Sequence, residues 1–100
     1  MIEIRIKRDA QNKISSVSVK NHGDPVVCSA VSILLLNAVN SIESLTSALF
    51  SFDCAESGGD AILDIVEYDN EGKAQLLMES LVLGYRSIEE SYSNEIVVID

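Results

Sequence analysis

The amino-acid sequence predicts an α+β fold, in which two helices pack on a mixed sheet of roughly five strands. Two observations predict this class. Apolar and polar residues alternate over several short segments, as in strands with one wet face, and apolar residues recur at three- and four-residue steps over two long segments, as in helices. The order of these segments is ββαββαβ. Because 100 residues make room for one core, residues 1–100 are expected to form a single domain.

The amino-terminal segment is predicted to form a hairpin. Ile2, Ile4 and Ile6 alternate with charged residues, which is the period of a strand. Turn-forming residues follow at 9–12, and a second alternating segment runs from Ile14 to Lys20. The two segments are therefore expected to pair with each other.

The first long apolar segment begins at a helix start signal. Asp24 is a residue type that caps helix amino termini, and Pro25 after it is favoured in the first turn. We expect a helix from about Val26 to Leu45, whose apolar positions cover more than one side and predict burial on several sides. Since no charged residue occurs in it before Glu43, this helix is expected to be central and to offer a surface for a second subunit.

The next segments are predicted to form a second hairpin. Phe50 and Phe52 indicate a short strand, residues 57–60 a turn, and residues 61–68 a further strand.

The last third of the chain is predicted to form a helix and a strand. Apolar residues between Ala74 and Tyr92 recur at helical spacing, which predicts an amphipathic helix that ends near residues 93–94. The apolar run at 96–99 is predicted to close the chain as a strand.

Charge is unevenly distributed and limits the classes of partner. The net charge is −9; residues 1–24 carry five basic and three acidic side chains, whereas residues 25–100 carry two basic and thirteen acidic ones. Because neutralising phosphates dominates affinity for nucleic acids, direct nucleic-acid binding is not expected. A basic protein or peptide is a better match, although acidity can also simply confer solubility.

Two further expectations concern location. No uninterrupted apolar stretch is longer than the one at Ile33–Leu36, and the amino terminus alternates, so neither a membrane segment nor a secretory signal is expected. The chain is therefore expected in the cytoplasm. Cys28 and Cys54 are expected to be free thiols in that reducing compartment.

His22 and Cys28 are the candidate catalytic residues. Cys28 falls in the first turn of the predicted helix, where unpaired backbone N–H groups and the helix dipole favour the reactive thiolate. The imidazole of His22, one loop away, can accept the thiol proton and return it to a leaving amine, as in cysteine proteases. The backbone N–H groups of Cys28 and Ser29 are candidates to hold the developing oxyanion.

The residue types alone leave other interpretations open. A cysteine at the start of an apolar helix is more often a small core residue than a nucleophile. No metal site and no cofactor are expected, because one histidine, two cysteines and scattered carboxylates lack the repeated spacing of zinc ligands. At Cys54 the neighbouring carboxylates of Asp53 and Glu56 disfavour a thiolate. The pair Gly58-Gly59 lacks the helix and lysine of a phosphate-binding loop and indicates a turn.

One run of residues, from His22 to Ser32, carries a resemblance to a known family. Its sequence, His-Gly-Asp-Pro-Val-Val-Cys-Ser-Ala-Val-Ser, resembles the signature of the ribosomal-processing cysteine proteases, the Prp family. In that family Gly-His-Ala precedes a variable loop and then a Val-Cys-Ala-Ala-Val-Ser helix start. The similarity extends over the whole chain, from the opening hairpin to the closing helix with Ile88-Glu89-Glu90 and Tyr92.

The resemblance implies an activity and a set of site residues. The implied reaction is peptide-bond cleavage that removes a short amino-terminal extension from a large-subunit ribosomal protein, the twenty-seventh of the L series, by a homodimeric enzyme. The resemblance assigns the family's catalytic pair, a Cys-His dyad, to Cys28 and His22. It assigns a serine four positions after the cysteine to Ser32.

Four features depart from the family's pattern. The glycine before the histidine is Asn21, the alanine after it is Gly23, and only five residues separate the two catalytic positions. Where an acidic residue often stands three positions before the cysteine, this chain has Pro25. Asp24 is the nearest acid, and capping is its expected role.

Two hypotheses follow. The first is a cytoplasmic cysteine endopeptidase that acts on a basic ribosomal-protein amino-terminal peptide, with Cys28 as nucleophile and His22 as general base and acid. Its supporting residues would be Ser32, Ser29 and Asp24. The alternative, motivated by the departures from the pattern, is a non-catalytic ribosome-assembly module that binds the same ribosomal protein.

Overall fold

The computed structural model describes residues 1–56 and 60–100, and within them it contains seven elements in the predicted order. They are β1 (Ile2–Arg8), β2 (Ile14–Lys20), α1 (Pro25–Leu45), β3 (Leu49–Cys54), β4 (Ala61–Glu67), α2 (Lys73–Ser91) and β5 (Ile96–Ile99). The α+β class and the ββαββαβ order are confirmed. Three residues of the predicted turn at 57–60, residues 57–59, lie outside the described part of the chain.

The five strands form one mixed sheet in the order β3-β4-β2-β1-β5. β1 pairs antiparallel with β2, and β3 with β4, which confirms both predicted hairpins. β2 also pairs antiparallel with β4, whereas β5 lies parallel to β1. This order puts the end of β2 beside the starts of β4 and β1, with the start of β5 next to β1.

One face of the sheet packs against both helices and forms an aliphatic core. Ile4 of β1 pairs with Val19 of β2, and Ile6 pairs with Val17. All four side chains lie on this face of the sheet and are buried. Fully burying a side chain of this size stabilises the fold by roughly 1.5–3 kcal/mol. Arg5, which alternates with the two isoleucines, is exposed on the opposite face.

α1 begins at Pro25, one residue before the predicted start at about Val26, and only one side of it is buried. Its buried residues are all apolar: Val27, Val31, Leu35, Ala38, Val39 and Ile42. Val26 and Ile33 on the outer side are exposed. The prediction of burial on several sides is therefore wrong for the single chain, because both helices lie on the same face of the sheet and leave their outer surfaces to solvent.

The hydropathy of α1 bears on the expectation that the chain has no membrane segment. α1 is long enough to span a membrane, and its mean hydropathy over an 18-residue window, 1.8, is high enough as well. Core helices of soluble proteins pass the same test.

α2 ends at Ser91, slightly before the predicted end at residues 93–94. The reason is that Tyr92 leaves the helical conformation. Its carbonyl oxygen accepts hydrogen bonds from the N–H groups of Glu95, 2.8 Å away, and Ile96, 3.3 Å away. This turn directs the chain into β5 and brings Glu95 to the end of the sheet where β2 leaves it.

Candidate active site

Asp24 organises the amino terminus of α1. Its Oδ1 accepts hydrogen bonds from the backbone N–H groups of Val26, 2.9 Å away, and Val27, 3.4 Å away, so it is the N-cap that the sequence predicts. Its carbonyl oxygen accepts the N–H of Cys28 over 2.9 Å. Cys28 therefore lies in the first turn of the helix, where the helix dipole favours a negative charge.

The Cys28 thiol is half-buried and makes its hydrogen bonds with the backbone of Gly23. The N–H of Gly23 donates to Sγ over 3.4 Å, and Sγ lies 3.6 Å from the Gly23 carbonyl oxygen, to which the thiol can donate. An anionic sulfur would accept more strongly from the same N–H, since charged acceptors make stronger hydrogen bonds. Gly23 can thus stabilise a thiolate. Sequence reasoning did not identify this role, for which the only signal is the position of Gly23 between the histidine and the cysteine.

The candidate catalytic residues come together at one small cavity. His22 is exposed in the loop before α1 and lines a cavity of about 70 Å³ with Cys28 and with Ser32, one helical turn further along. The remaining walls are formed by Ile2, Val19, Asn21 and Val31. The structure thus brings the imidazole and the thiol to one cavity, and within the described residues the hydrogen bonds of the thiol are those with Gly23.

Asn21 stands where the Prp pattern has a glycine, and its backbone conformation is one that glycine favours. Its φ is 71°, in the left-handed region that glycine enters freely and asparagine enters at a lower cost than most residues. Its N–H donates to Oδ1 of Asp60 over 3.0 Å. The departure from glycine is therefore compatible with the path of the loop.

Gly23 approaches its neighbours closely. A Cβ atom at this position would lie 3.1 Å from Cγ1 of Ile2 and 3.4 Å from the carbonyl oxygen of Glu95. An alanine, which the family pattern has here, would require Ile2 to shift by a few tenths of an ångström. Glycine thus suits a short loop that runs directly over β1.

Two predicted supporting residues are not at the cavity. The Ser29 hydroxyl donates to the carbonyl oxygen of Pro25 over 2.9 Å, within the helix. The Asp24 carboxylate is occupied by the cap. The predicted oxyanion role of the Cys28 N–H also needs correction, because that N–H already donates to the carbonyl oxygen of Asp24.

A second, apolar cavity of about 220 Å³ adjoins the first and shares Val19, Val31 and Ser32 with it. Its other apolar walls include Leu35, Leu36 and Phe52. The two cavities together form a groove with the thiol and imidazole at one end. The walls that Leu35, Leu36 and Phe52 contribute are apolar, so this part of the groove is suited to apolar groups.

The other cysteine differs from Cys28 in its surroundings. Cys54 is an exposed free thiol at the end of β3 and lines the apolar cavity rather than the one with His22. Within residues 1–56 and 60–100, no three His, Cys, Asp or Glu side chains are grouped to hold a metal ion.

Comparison with known proteins identifies the family. The family model for the cysteine protease Prp matches residues 1–97. The ribosomal processing cysteine protease Prp of Bacillus subtilis (strain 168) is 30% identical over an alignment of 107 positions, which covers 98% of this chain and 96% of that protein. The protein of the same name from Staphylococcus aureus (strain Mu50 / ATCC 700699) is 28% identical over an alignment of 102 positions, which covers 96% of this chain and 95% of that protein.

Structural comparison agrees. The crystal structure of an essential ribosomal processing protease Prp from S. aureus, in complex with a covalently linked product peptide, has a TM-score of 0.92 at 28% identity. The match covers 99% of this chain and 98% of that one, so the fold is shared from end to end. The resemblance carried by His22–Ser32 is thus matched over nearly the whole sequence, and the protein belongs to the Prp family of cysteine proteases.

Proposed function

We propose that this chain is a cysteine endopeptidase that removes a short amino-terminal extension from a large-subunit ribosomal protein during ribosome assembly. The observation that carries the proposal is the cavity shared by Cys28 and His22, in a chain that belongs to a cysteine protease family. The covalently linked product peptide in the S. aureus relative supports a mechanism with a covalent intermediate.

In the proposed mechanism Cys28 is the nucleophile and His22 is its general base. The imidazole takes the proton from Sγ, and the sulfur attacks the carbonyl carbon of the scissile peptide bond. The Gly23 N–H, 3.4 Å from Sγ, stabilises the thiolate before the attack. The imidazolium of His22 then gives its proton to the leaving amine as the C–N bond breaks, and a thioester remains.

Hydrolysis of the thioester completes the cycle. The imidazole of His22, now neutral, takes a proton from a water molecule whose oxygen attacks the thioester carbonyl. The C–S bond breaks, the imidazolium of His22 returns its proton to Cys28 Sγ, and the product leaves as a carboxylic acid that loses its proton to solvent. Ser32 lies at the same cavity one turn along α1, where its hydroxyl can hydrogen-bond to the peptide.

Charge and shape support a basic peptide as the substrate. The chain has a net charge of −9, and thirteen of its sixteen acidic side chains follow residue 24. A field of this sign attracts the basic segments that are typical of ribosomal proteins. The apolar cavity beside the thiol would hold an apolar side chain of the extension.

The proposed enzyme is a homodimer in the cytoplasm, the compartment where ribosomes assemble and thiols stay reduced. Val26 is 68% exposed and Ile33 is 67% exposed on the outer side of α1, and the helix carries no charge before Glu43. A second copy packed on this side would cover the apolar surface without burying a charged group.

The alternative function is a non-catalytic ribosome-assembly module that binds the same ribosomal protein. The test is to incubate the chain with its organism's own ribosomal protein precursor and to measure product masses. We expect a product shortened at its amino terminus that is absent with Cys28→Ala and present with Ser44→Ala, an exposed change at the other end of α1. A precursor that has an extension, binds the chain and stays intact would favour the alternative.

A further inference from the structure

Two carboxylates hold the loop that carries His22, one at each end of it. Asp60 Oδ1 accepts the N–H of Asn21 over 3.0 Å, and Glu95 Oε2 accepts the N–H of Asp24 over 3.2 Å. Only His22 and Gly23 lie between these two anchored N–H groups. The acceptors are 39 and 71 residues away from their donors in sequence, and the strand order brings them together at the end of β2.

The backbone that carries Asp60 is itself held. Asp60 lies directly before β4, which pairs with β2 on one side and β3 on the other. Its carbonyl oxygen accepts the N–H of Ala55 over 2.8 Å, so the chain is also tied to the end of β3. The carboxylate therefore extends from a fixed point of the sheet toward the loop.

The backbone that carries Glu95 is held in the same way. Its N–H donates to the carbonyl oxygen of Tyr92 over 2.8 Å, and its carbonyl oxygen accepts the N–H of Ile2 over 2.9 Å. Gly23 lies against the same carbonyl oxygen, since a Cβ atom there would be 3.4 Å from it. Glu95 thus supports Gly23, whose N–H in turn donates to Cys28 Sγ.

We propose that Asp60 and Glu95 are positioning residues that hold Gly23 against Cys28 Sγ and hold His22 at the cavity it shares with Cys28, so that the site is formed before substrate binds. The effect on turnover rests on the proposed function, whereas the effect on the loop does not. With residues 21 and 24 anchored and α1 beginning at Pro25, the loop has no length with which to swing away while both hydrogen bonds persist. The role requires an acceptor oxygen and not a negative charge, so an amide side chain can fill it.

The experiment compares Asp60→Ala and Glu95→Ala with Asp60→Asn and Glu95→Gln. Glu90→Ala is the matched control, because Glu90 is an exposed carboxylate on α2. Three quantities are measured: kcat and KM for the ribosomal protein precursor, the rate of Cys28 alkylation by iodoacetamide, and hydrogen exchange of the Asn21 and Asp24 amides by NMR.

Each alanine variant is expected to lower kcat about 3- to 10-fold with little change in KM, which is the size of effect that one lost hydrogen bond has on a reacting geometry. Exchange should rise at Asn21 in Asp60→Ala and at Asp24 in Glu95→Ala, and Cys28 alkylation should slow in both, because the Gly23 N–H is then held less firmly beside Sγ. The amide variants should retain most of the parental values. Unchanged amide exchange and alkylation in both alanine variants would overturn the proposal, as would amide variants as impaired as the alanine ones.

The readouts separate this proposal from the proposed function. If the parent protein cleaves no precursor but the alanine variants change amide exchange and Cys28 alkylation, the positioning role stands and the endopeptidase assignment fails. If an alanine variant does not fold, the amide variant at the same position decides, because loss of kcat at unchanged circular dichroism would contradict a role for the acceptor alone.

Discussion

The hydroxyl of Tyr85 donates a hydrogen bond to the carbonyl oxygen of Val31, 3.1 Å away, and so joins α2 to α1 inside the core. Tyr85 is wholly buried, and its burial raises the pKa of its hydroxyl. Val31 lines both cavities of the groove, next to Ser32. The bond therefore fixes α1 at the level of the proposed active site.

Tyr85→Phe should lower the free energy of unfolding by about 0.5–1.5 kcal/mol, since the ring still fills its site and one hydrogen bond is lost. Because the folded state holds the tyrosine proton to a higher pH than the unfolded state, the stability that Tyr85 contributes is present below its ordinary pKa of 10.0 and is lost as the pH rises above it. Urea unfolding at pH 8 and above pH 10 checks both points. If the parent and the variant lose the same amount of stability above pH 10, the expected contribution of the Tyr85 hydroxyl to the pH dependence is contradicted.

His22→Ala should abolish turnover and leave the fold intact. His22 is exposed in the loop before α1, so it has little core packing to lose. Circular dichroism and the melting temperature should match the parent, while cleavage of the ribosomal protein precursor falls below detection. A variant that loses folded protein would instead support a structural histidine.

Asp100 should make the fold sensitive to acid. The Arg8 guanidinium donates to both of its carboxylate oxygens, Arg86 lies 3.5 Å away, and together they hold the pKa of Asp100 below its usual value of 3.8. A depressed folded-state pKa contributes stability that is present above about pH 4 and lost as the pH falls further. Asp100→Asn should therefore cost about 0.5–1 kcal/mol at pH 7 after solvent screening, and less at pH 3.

Thermal unfolding at the two pH values measures this difference, with Asp53→Asn, an exposed change on β3, as the control. An Asp100→Asn variant that is destabilised equally at pH 7 and pH 3 would show that the carboxylate charge contributes nothing.

The elements of the fold could be predicted because their signals are local. The period of a strand is visible in the alternation of Ile2, Ile4 and Ile6, and a helix start is visible in the pair Asp24-Pro25. Each signal lies within a few residues, and the structure has a strand and a helix start there. The burial of α1 was overestimated, because composition shows how apolar a helix is and not how many of its sides have a neighbour. Ile33 shows the difference, since it is apolar and exposed.

The details of the site could be predicted only in part. His22 and Cys28 stand out by residue type and by the family signature around them. The hydrogen bonds from Asn21 to Asp60 and from Asp24 to Glu95 depend on the strand order, and no short-range pattern encodes a pairing between residues that are far apart in sequence. From the sequence of an acidic chain it is not possible to tell which surface carboxylates accept hydrogen bonds from backbone N–H groups, because the donors beside them are known only from the fold.

The chain should sediment as a dimer. Val26 and Ile33 are exposed apolar residues on the outer side of α1, so Ile33→Glu should convert a species of twice 10.9 kDa into one of 10.9 kDa without loss of helix content. Val66→Glu is the control, because Val66 is equally exposed but lies on β4, away from α1. Sedimentation equilibrium at micromolar concentration gives the masses. A parent protein that is a 10.9 kDa monomer at that concentration would remove the dimer from the proposal.

At pH 7, Cys28 should react with iodoacetamide faster than Cys54, although Cys54 is the more exposed thiol. At Cys28 the helix terminus and the Gly23 N–H, 3.4 Å from Sγ, both stabilise the negative charge that the attacking sulfur carries. At Cys54 the carboxylate of Asp53 opposes it.

Two substitutions at Asp24 distinguish the effect of its capping hydrogen bonds on Cys28 alkylation from the effect of its charge. Asp24→Asn keeps an oxygen for the N–H of Val26 and removes a negative charge near the sulfur, so Cys28 alkylation should be as fast as in the parent or faster. Asp24→Ala loses the cap and should slow alkylation by loosening the turn that holds Cys28 beside Gly23. Peptide mapping of each thiol against pH gives the rates. Equal alkylation of Cys28 and Cys54 in the folded parent would count against Cys28 as the nucleophile, because a thiol no more reactive than one beside carboxylates has no activating environment.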